Sequence, residues 1–243
     1  MDIPILFEDD SVLVIDKPPG LVVTRADSVK AATVQDWVEN RPQDTEIKIK
    51  RKAESNDFYE RSGIVHRIDK ETSGILVIAK TNAAFSNLQQ QFKARDVKKT
   101  YLAIVHGVVV PSAGEIHAPV GRLPWNRLRF GIVPEGREAL TGYIVEKCFQ
   151  APQSGEKLSL LAITPATGRT HQIRVHMAYI HHPIVGDTLY AGRKVSRQDR
   201  TWVPRVMLHA WKLSFLHPDT HARVAIEAPI PDDMKRVAAY AGK

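Results

Sequence analysis

Five consecutive apolar residues, Ile75-Leu76-Val77-Ile78-Ala79, stand directly behind a charged turn rich in small residues, and this juxtaposition constrains the fold more than any other stretch. Largely β-branched residues bunched in this way, without polar alternation, predict a strand buried on both faces. The run before it, His66-Arg67-Ile68-Asp69-Lys70-Glu71-Thr72-Ser73-Gly74, closes on small residues suited to a tight turn with open backbone N–H groups. Within it Asp69 has Arg67 two residues before and Lys70 just after, and adjacent positive charge favours an ionised carboxylate. A carboxylate on a loop fixed by a core strand suits a nucleophile or a base. The same residues equally describe a turn cap among solvated charges.

The rest of the chain bounds the setting. At 243 residues and 43% hydrophobic, it can bury one sizeable core or two packed halves. No apolar run reaches bilayer length, and Met1-Asp2-Ile3-Pro4 lacks the basic start and apolar stretch of a secretory signal, so a cytoplasmic protein is expected. The single cysteine, Cys148, excludes an internal disulfide and a cysteine metal cluster, and its place in a strand pattern predicts a buried thiol. Lys and Arg total 34 against 27 Asp and Glu, a formal charge of +7 that favours a polyanionic partner.

Taken in order, Ser11 to Asp16 reads as a strand turned by Lys17-Pro18-Pro19-Gly20 towards Leu21-Val22-Val23, a hairpin-like opening. Thr33 caps a short helix with Val34, Trp37 and Val38 on one face. Residues 40–63, with Arg41, Lys48, Lys50, Arg51, Lys52 and Glu54, predict a mobile basic surface loop. Thr81-Asn82 opens a helix over 83–94, and Tyr101 to Val105 a strand. Residues 114–137 interleave Arg122, Arg127, Arg129 and Arg137 with Trp125 and Phe130. Guanidinium groups pair with phosphates, and both planar types stack on exposed bases, so this stretch suits a grip on RNA as well as a plain charged hairpin. Strands over 141–149 and 158–164 lead to a helix marked by Ile173, Met177 and Ile180. Arg174 lies off that stripe, either at the surface or projecting into a cleft beside a carboxylate. His171, His176, His181 and His182 fit no standard metal-ligand spacing. Residues 191–205, with Arg193, Lys194, Arg197, Arg200 and Arg205 around Trp202, form a second basic stretch. A strand over 206–216, a return strand over 223–227 and a helix from Pro231 close the chain. Strands joined mostly by short turns predict an α+β fold with a mixed, largely antiparallel central sheet and flanking helices.

The run His66 to Gly74 with the strand behind it and Ala79-Lys80 resembles the catalytic motif of the RluA-type pseudouridine synthases, with Ile68 where leucine is frequent. Asp16 to Gly20, Lys99 to Gly107, Thr167 to Met177 and His182 to Asp187 extend the resemblance over nearly the whole chain. It implies a single catalytic domain over 1–243 with its cleft across the middle of a long sheet, and isomerisation of uridine in structured RNA. Large-subunit ribosomal RNA is the expected substrate and transfer RNA the second, with no DNA, no membrane, no cofactor and no metal, and a monomer as the expected state. The resemblance makes Asp69 the essential catalytic residue and has Arg67 take the space of an extruded base. It places Tyr101 and Ile173 against the uracil and gives Arg174 an ion pair with Asp69. Many relatives carry a small RNA-binding domain upstream, for which this sequence is expected to leave no room, so RNA selection is expected to fall to the catalytic domain or another factor. Two other readings stay open: an RNA-binding or RNA-folding protein without turnover, and a base-excising glycosylase, although no second acid stands in a comparable turn.

Overall fold

The computed structural model describes residues 2–27, 29–41, 57–151 and 155–239. The chain forms two compact units, one of residues 1–98 with 212–228, the other of residues 99–211 with 229–243. In the first, β1 (Ile5–Glu8) pairs antiparallel with β2 (Val12–Lys17), which pairs antiparallel with β3 (Ser73–Ala79) from Val12 opposite Ala79 to Lys17 opposite Gly74. Every residue of β3 is buried, as its unbroken apolar run demands of a strand covered on both faces. The expected opening hairpin forms with β1 instead of residues 21–23. The carbonyls of Val22 and Val23 accept the first N–H groups of α1 (Val34–Glu39), so those residues serve a helix start. Thr33 and Asp36 complete a reciprocal capping box at that helix.

Of residues 40–63, expected to form a mobile loop, the described ones at either end are held by the fold. Arg41 is buried and forks onto Glu8, and α2 (Asp57–Glu60) buries Phe58 and Tyr59; Lys48, Lys50, Arg51, Lys52 and Glu54 lie outside the described residues. The helix α3 (Asn82–Ala94), capped by Thr81, packs on β3 and buries Phe85 and Leu88.

In the second unit the strands β4 (Lys98–His106), β5 (Ala113–His117), β8 (Leu140–Gln150) and β9 (Lys157–Pro165) run in the order β4-β9-β8-β5, each neighbouring pair antiparallel. Between β5 and β8 a separate hairpin is formed by β6 (Val120–Leu123) and β7 (Asn126–Ile132). Two helices follow, α4 (Gln172–Tyr179) and α5 (Arg193–Asp199), then β10 (Leu208–Leu216), whose residues up to Trp211 belong to this unit. Its core gathers Leu102, Ile104, Leu161, Ile163, Met177 and Met207 among others. Cys148 is exposed, against expectation. A strand pattern does not tell which face of a sheet a residue occupies, and here it is the solvent face.

Lys212 to Leu216 of β10 return to the first unit and pair antiparallel with β11 (Arg223–Glu227); α6 (Asp232–Ala239) ends the second. No helix among the described residues is long and apolar enough to cross a membrane.

Candidate active site

In the first unit the turn that carries Asp69 is tied down at both ends. At its entry Gly63 has φ +73°, and a Cβ there would stand 2.0 Å from the Ala79 carbonyl oxygen, so only glycine admits this approach to the end of β3. The chain then runs beside β3, with Ile64 bridged to Ile78 and the Val77 N–H donating to Nε2 of His66 at 2.9 Å. The His66 ring stacks on Phe92 of α3 at 4.5 Å. Ile68 is buried between exposed Arg67 and half-buried Asp69, and the Asp69 carbonyl closes the turn by accepting the Thr72 N–H at 3.1 Å.

Lys17, at 0% exposure, supports the turn from beneath. Its Nζ donates to the carbonyls of Pro18, Leu21 and Lys70 at 2.8, 2.9 and 3.0 Å, and the Gly20 N–H donates to the same Lys70 carbonyl at 2.9 Å. A buried ammonium demands such acceptors, and here three carbonyls supply them. The Lys-Pro-Pro-Gly turn and the residue after Asp69 are thereby locked together.

The other residues marked in the sequence belong to the second unit. Tyr101 lies on β4 opposite Ile163, half-buried and packed against the core cluster that contains Ile173. The start of α4 is fixed by Gln172, which donates to Leu140 O and Thr141 Oγ1 and accepts from Thr167 Oγ1 and the Arg169 N–H. Arg174, next along the helix after Ile173, is buried and not a surface charge. Its Nε donates to Asp187 Oδ2 at 2.7 Å and its Nη2 to Oδ1 at 2.9 Å, a two-point ion pair. Asp187, 0% exposed, also accepts the N–H groups of Leu189 and Tyr190. Before it Gly186, at φ +79°, passes so near Arg205 that a Cβ would stand 2.0 Å from the Arg205 carbonyl oxygen.

Three of the four clustered histidines have structural partners. His176 bonds Thr141 Oγ1 and the Ala118 carbonyl, both at 2.9 Å; burial lowers its pKa against the opposing pull of that carbonyl. His171 bonds the Tyr190 hydroxyl, and Nδ1 of His182 donates to the His106 carbonyl. Among the described residues no group of three His, Cys, Asp or Glu could hold a metal ion.

The first basic stretch is strand β5 and the β6–β7 hairpin. Trp125 at its turn is 80% exposed, Arg122 lies over the Phe130 ring at 5.1 Å, and Arg129 over the Tyr190 ring at 5.7 Å. The second stretch is divided. Arg193, Lys194, Arg197 and Arg200 are exposed, but Arg205 is buried, forking onto Asp233 at 2.6 and 2.9 Å and donating to the carbonyls of Val206 and Leu208. As a framework residue Arg205 is removed from the expected contact surface. Burial opposes ionisation of Asp233, yet Arg205 outweighs it and holds that carboxyl below the usual range.

The structure therefore puts Arg67 and Asp69 on one unit and Tyr101, Ile173 and Arg174 on the other. It also adds residues that carry no role in the sequence reading: Lys17 and His66 around the Asp69 turn, and Asp187 and Tyr190 around Arg174. His66 and Asp187 lay inside recognised motifs, and Lys17 opened the Lys-Pro-Pro-Gly turn, but their service is to backbone and side-chain partners far along the chain.

Comparison with known proteins follows the same residues. Residues 11–179 match the family model of RNA pseudouridylate synthases. The chain is 40% identical to the ribosomal large subunit pseudouridine synthase D of Xanthomonas campestris, over 97% of this chain and 69% of that protein. It is also 40% identical to the Nitrosomonas europaea protein of the same name, over 95% and 62%, and 38% identical to an uncharacterized RNA pseudouridine synthase of Aquifex aeolicus, over 98% and 72%. The chain thus spans 62% to 72% of the length of these three relatives. Among solved structures, human RNA pseudouridylate synthase domain containing 1 superposes with a TM-score of 0.71 at 28% identity, covering 94% of this chain and 83% of that one. With the family match spanning well over half of its length, and with Asp69, Tyr101, Ile173 and Arg174 all inside the matched segment, the chain belongs to the RluA-type RNA pseudouridine synthases, a family of isomerases.

Proposed function

We propose that this protein converts uridine to pseudouridine in structured RNA, with large-subunit ribosomal RNA as the first candidate and transfer RNA as the second. The observation that carries the reading is the ungapped run His66 to Gly74, inside the family match and set on a turn fixed by Lys17, His66 and Thr72. The relatives named for the ribosomal large subunit favour that substrate. A single domain over 1–243, acting as a cytoplasmic monomer without cofactor or metal, belongs to the same proposal.

A uridine within a helix exposes neither its sugar carbon nor its base, so the enzyme extrudes it, at about a few kcal/mol for the lost stacking and pairing. Arg67, exposed beside Asp69, takes the vacated space. Asp69 then either attacks C1′ or removes the C2′ proton. On both routes the bond from N1 to C1′ breaks and the detached uracil turns; its C5 then bonds to C1′ as the Asp69 ester is displaced, or as Asp69 returns the proton to C2′, and the product loses the C5 proton while N1 takes one up. Tyr101 and Ile173 hold the uracil while it turns, and Arg174 is the ionic partner of Asp69. The two-point pairing of Arg174 with Asp187 supports this role, because it fixes the plane of a buried guanidinium. The β6–β7 hairpin, with Trp125 and Arg122, and the exposed cations of α5 grip the RNA through stacking and phosphate contact.

Asp69→Ala tests the assignment. Pseudouridine formation in total RNA falls to background while RNA affinity stays within about threefold, since phosphate contacts supply most of the affinity. Turnover by the variant would show that Asp69 is not the catalytic group. Release of free uracil by the unaltered protein would move the reading to a glycosylase.

A further inference from the structure

Tyr190 stands at a junction in the second unit, past residue 179 where the family match ends. Its hydroxyl accepts the backbone N–H of Phe130 on β7 at 3.1 Å and bonds Nδ1 of His171, the residue capping α4, at 2.8 Å. Its ring lies against Arg174, with the guanidinium carbon 5.1 Å from the ring centre, and its own N–H donates to the Asp187 oxygen that grips Arg174. One side chain thus touches the hairpin, the first turn of α4 and the buried arginine.

Both hydroxyl contacts end on one oxygen, which accepts the Phe130 N–H and shares a hydrogen bond with Nδ1 of His171. His171 has φ +57°, a conformation strained for any residue with a Cβ, and its side chain makes no capping bond to its own helix. Such a conformation persists where surrounding contacts over-determine it. Here they are the Tyr190 hydroxyl and the ring edges of Phe130 and Tyr190, at 5.6 and 5.7 Å from the His171 ring. Asp187 fixes one edge of the guanidinium and the Tyr190 ring one face, so the orientation of Arg174 depends on where that ring sits.

We propose that Tyr190, acting with His171, is a positioning residue that couples the seating of the β6–β7 hairpin on RNA to the orientation of Arg174. The coupling rests on the reading of this chain as a pseudouridine synthase that uses Arg174. RNA held by the hairpin fixes β7, the Phe130 N–H fixes the Tyr190 hydroxyl, and the ring then holds the guanidinium in one pose. Without the hydroxyl, hairpin and arginine move independently, and the loss falls on the chemical step instead of on RNA capture.

Tyr190→Phe keeps the ring and removes both hydroxyl bonds. On an RNA that the unaltered enzyme modifies, its single-turnover rate at saturating enzyme falls about tenfold while RNA affinity stays within about twofold, the signature of lost orientation. His171→Asn, which tolerates the left-handed backbone, gives a similar loss, and the double variant is no slower than the slower single one, since both changes break the link between Tyr190 and His171. His171→Asn carries the prediction alone if Tyr190→Phe does not fold. An unchanged rate, a loss confined to affinity, or losses that multiply in the double variant would overturn the coupling. Absence of pseudouridine in all RNA offered to the unaltered enzyme would instead overturn the functional reading on which the coupling rests.

Discussion

In residues 114–137 two arginines, Arg122 and Arg129, lean on aromatic rings, whereas in residues 191–205 the last arginine leans on a carboxylate. Arg122 and Arg129 cover Phe130 and Tyr190, and Trp125 projects from the hairpin turn; Arg205 is buried against Asp233, and Asp199 turns inward to His106 and Gly186. Both stretches carry four arginines and one tryptophan. Stacking on an aromatic face uses the plane of a guanidinium, while a fork onto a buried carboxylate uses its N–H donors. An arginine stays at the surface or becomes a structural brace according to whether an acid from elsewhere in the chain comes within reach.

The largest effect that could break this contrast lies at Arg205. Arg205→Ala strands the Asp233 carboxylate and two buried carbonyls, and chemical denaturation should register a loss of about 3 kcal/mol, typical of a buried pair with one partner removed. RNA affinity of the folded variant should not change, and a fall in affinity at full stability would return Arg205 to the binding surface. A smaller effect is expected at the hairpin. Trp125→Ala should weaken RNA binding about tenfold, the scale of one lost stacking contact, and Arg122→Ala should lower the salt dependence of binding by about one phosphate contact. Both variants should unfold at the same denaturant concentration as the unaltered protein, and RNA affinity and salt slope that do not move would remove the hairpin from the interface.

The smallest effect concerns pH. His106 sits between Asp199 and Glu156, at 3.1 and 3.0 Å. Burial disfavours its charge, but the two carboxylates outweigh that and raise its pKa above the usual 6.5. The folded protein therefore binds this proton more tightly than the unfolded chain. The contribution is complete below pH 6.5 and is lost as pH rises through the raised folded value. His176, whose pKa is lowered, acts only in the window below 6.5, so the slope above it isolates His106. In unfolding measurements from pH 6 to 9 the unaltered protein should lose stability across that window and His106→Gln should lose less; equal slopes would detach Asp199 from the frame.

Elements governed by local sequence were legible before any coordinates. The Thr33 and Thr81 caps, the apolar stripe of α3 and the uninterrupted run of β3 form where the sequence puts them, because capping and periodicity act within a few residues. The opening hairpin pairs β2 with β1 while Val22 and Val23 serve the start of α1, because short apolar runs on either side of a strand do not tell which of them pairs with it. Cys148 was assigned to the wrong face because alternation fixes the period of a strand and not its phase. At the candidate site the motif gave Asp69, Arg67, Tyr101, Ile173 and Arg174 by resemblance. Asp187, Tyr190 and Lys17 escaped because an aspartate, a tyrosine and a lysine near turns are ordinary surface residues until the fold encloses them.

The amino-acid sequence by itself determined the family, the class of fold and the identity of the candidate carboxylate, since these reside in short contiguous runs whose chemistry and spacing act locally. Tertiary structure alone decided which charges became partners. Lys17 meets the Lys70 carbonyl across 53 positions and Arg205 meets Asp233 across 28. Charge pairing and burial depend on distance in space, and over such separations the chain acquires that distance only when it folds.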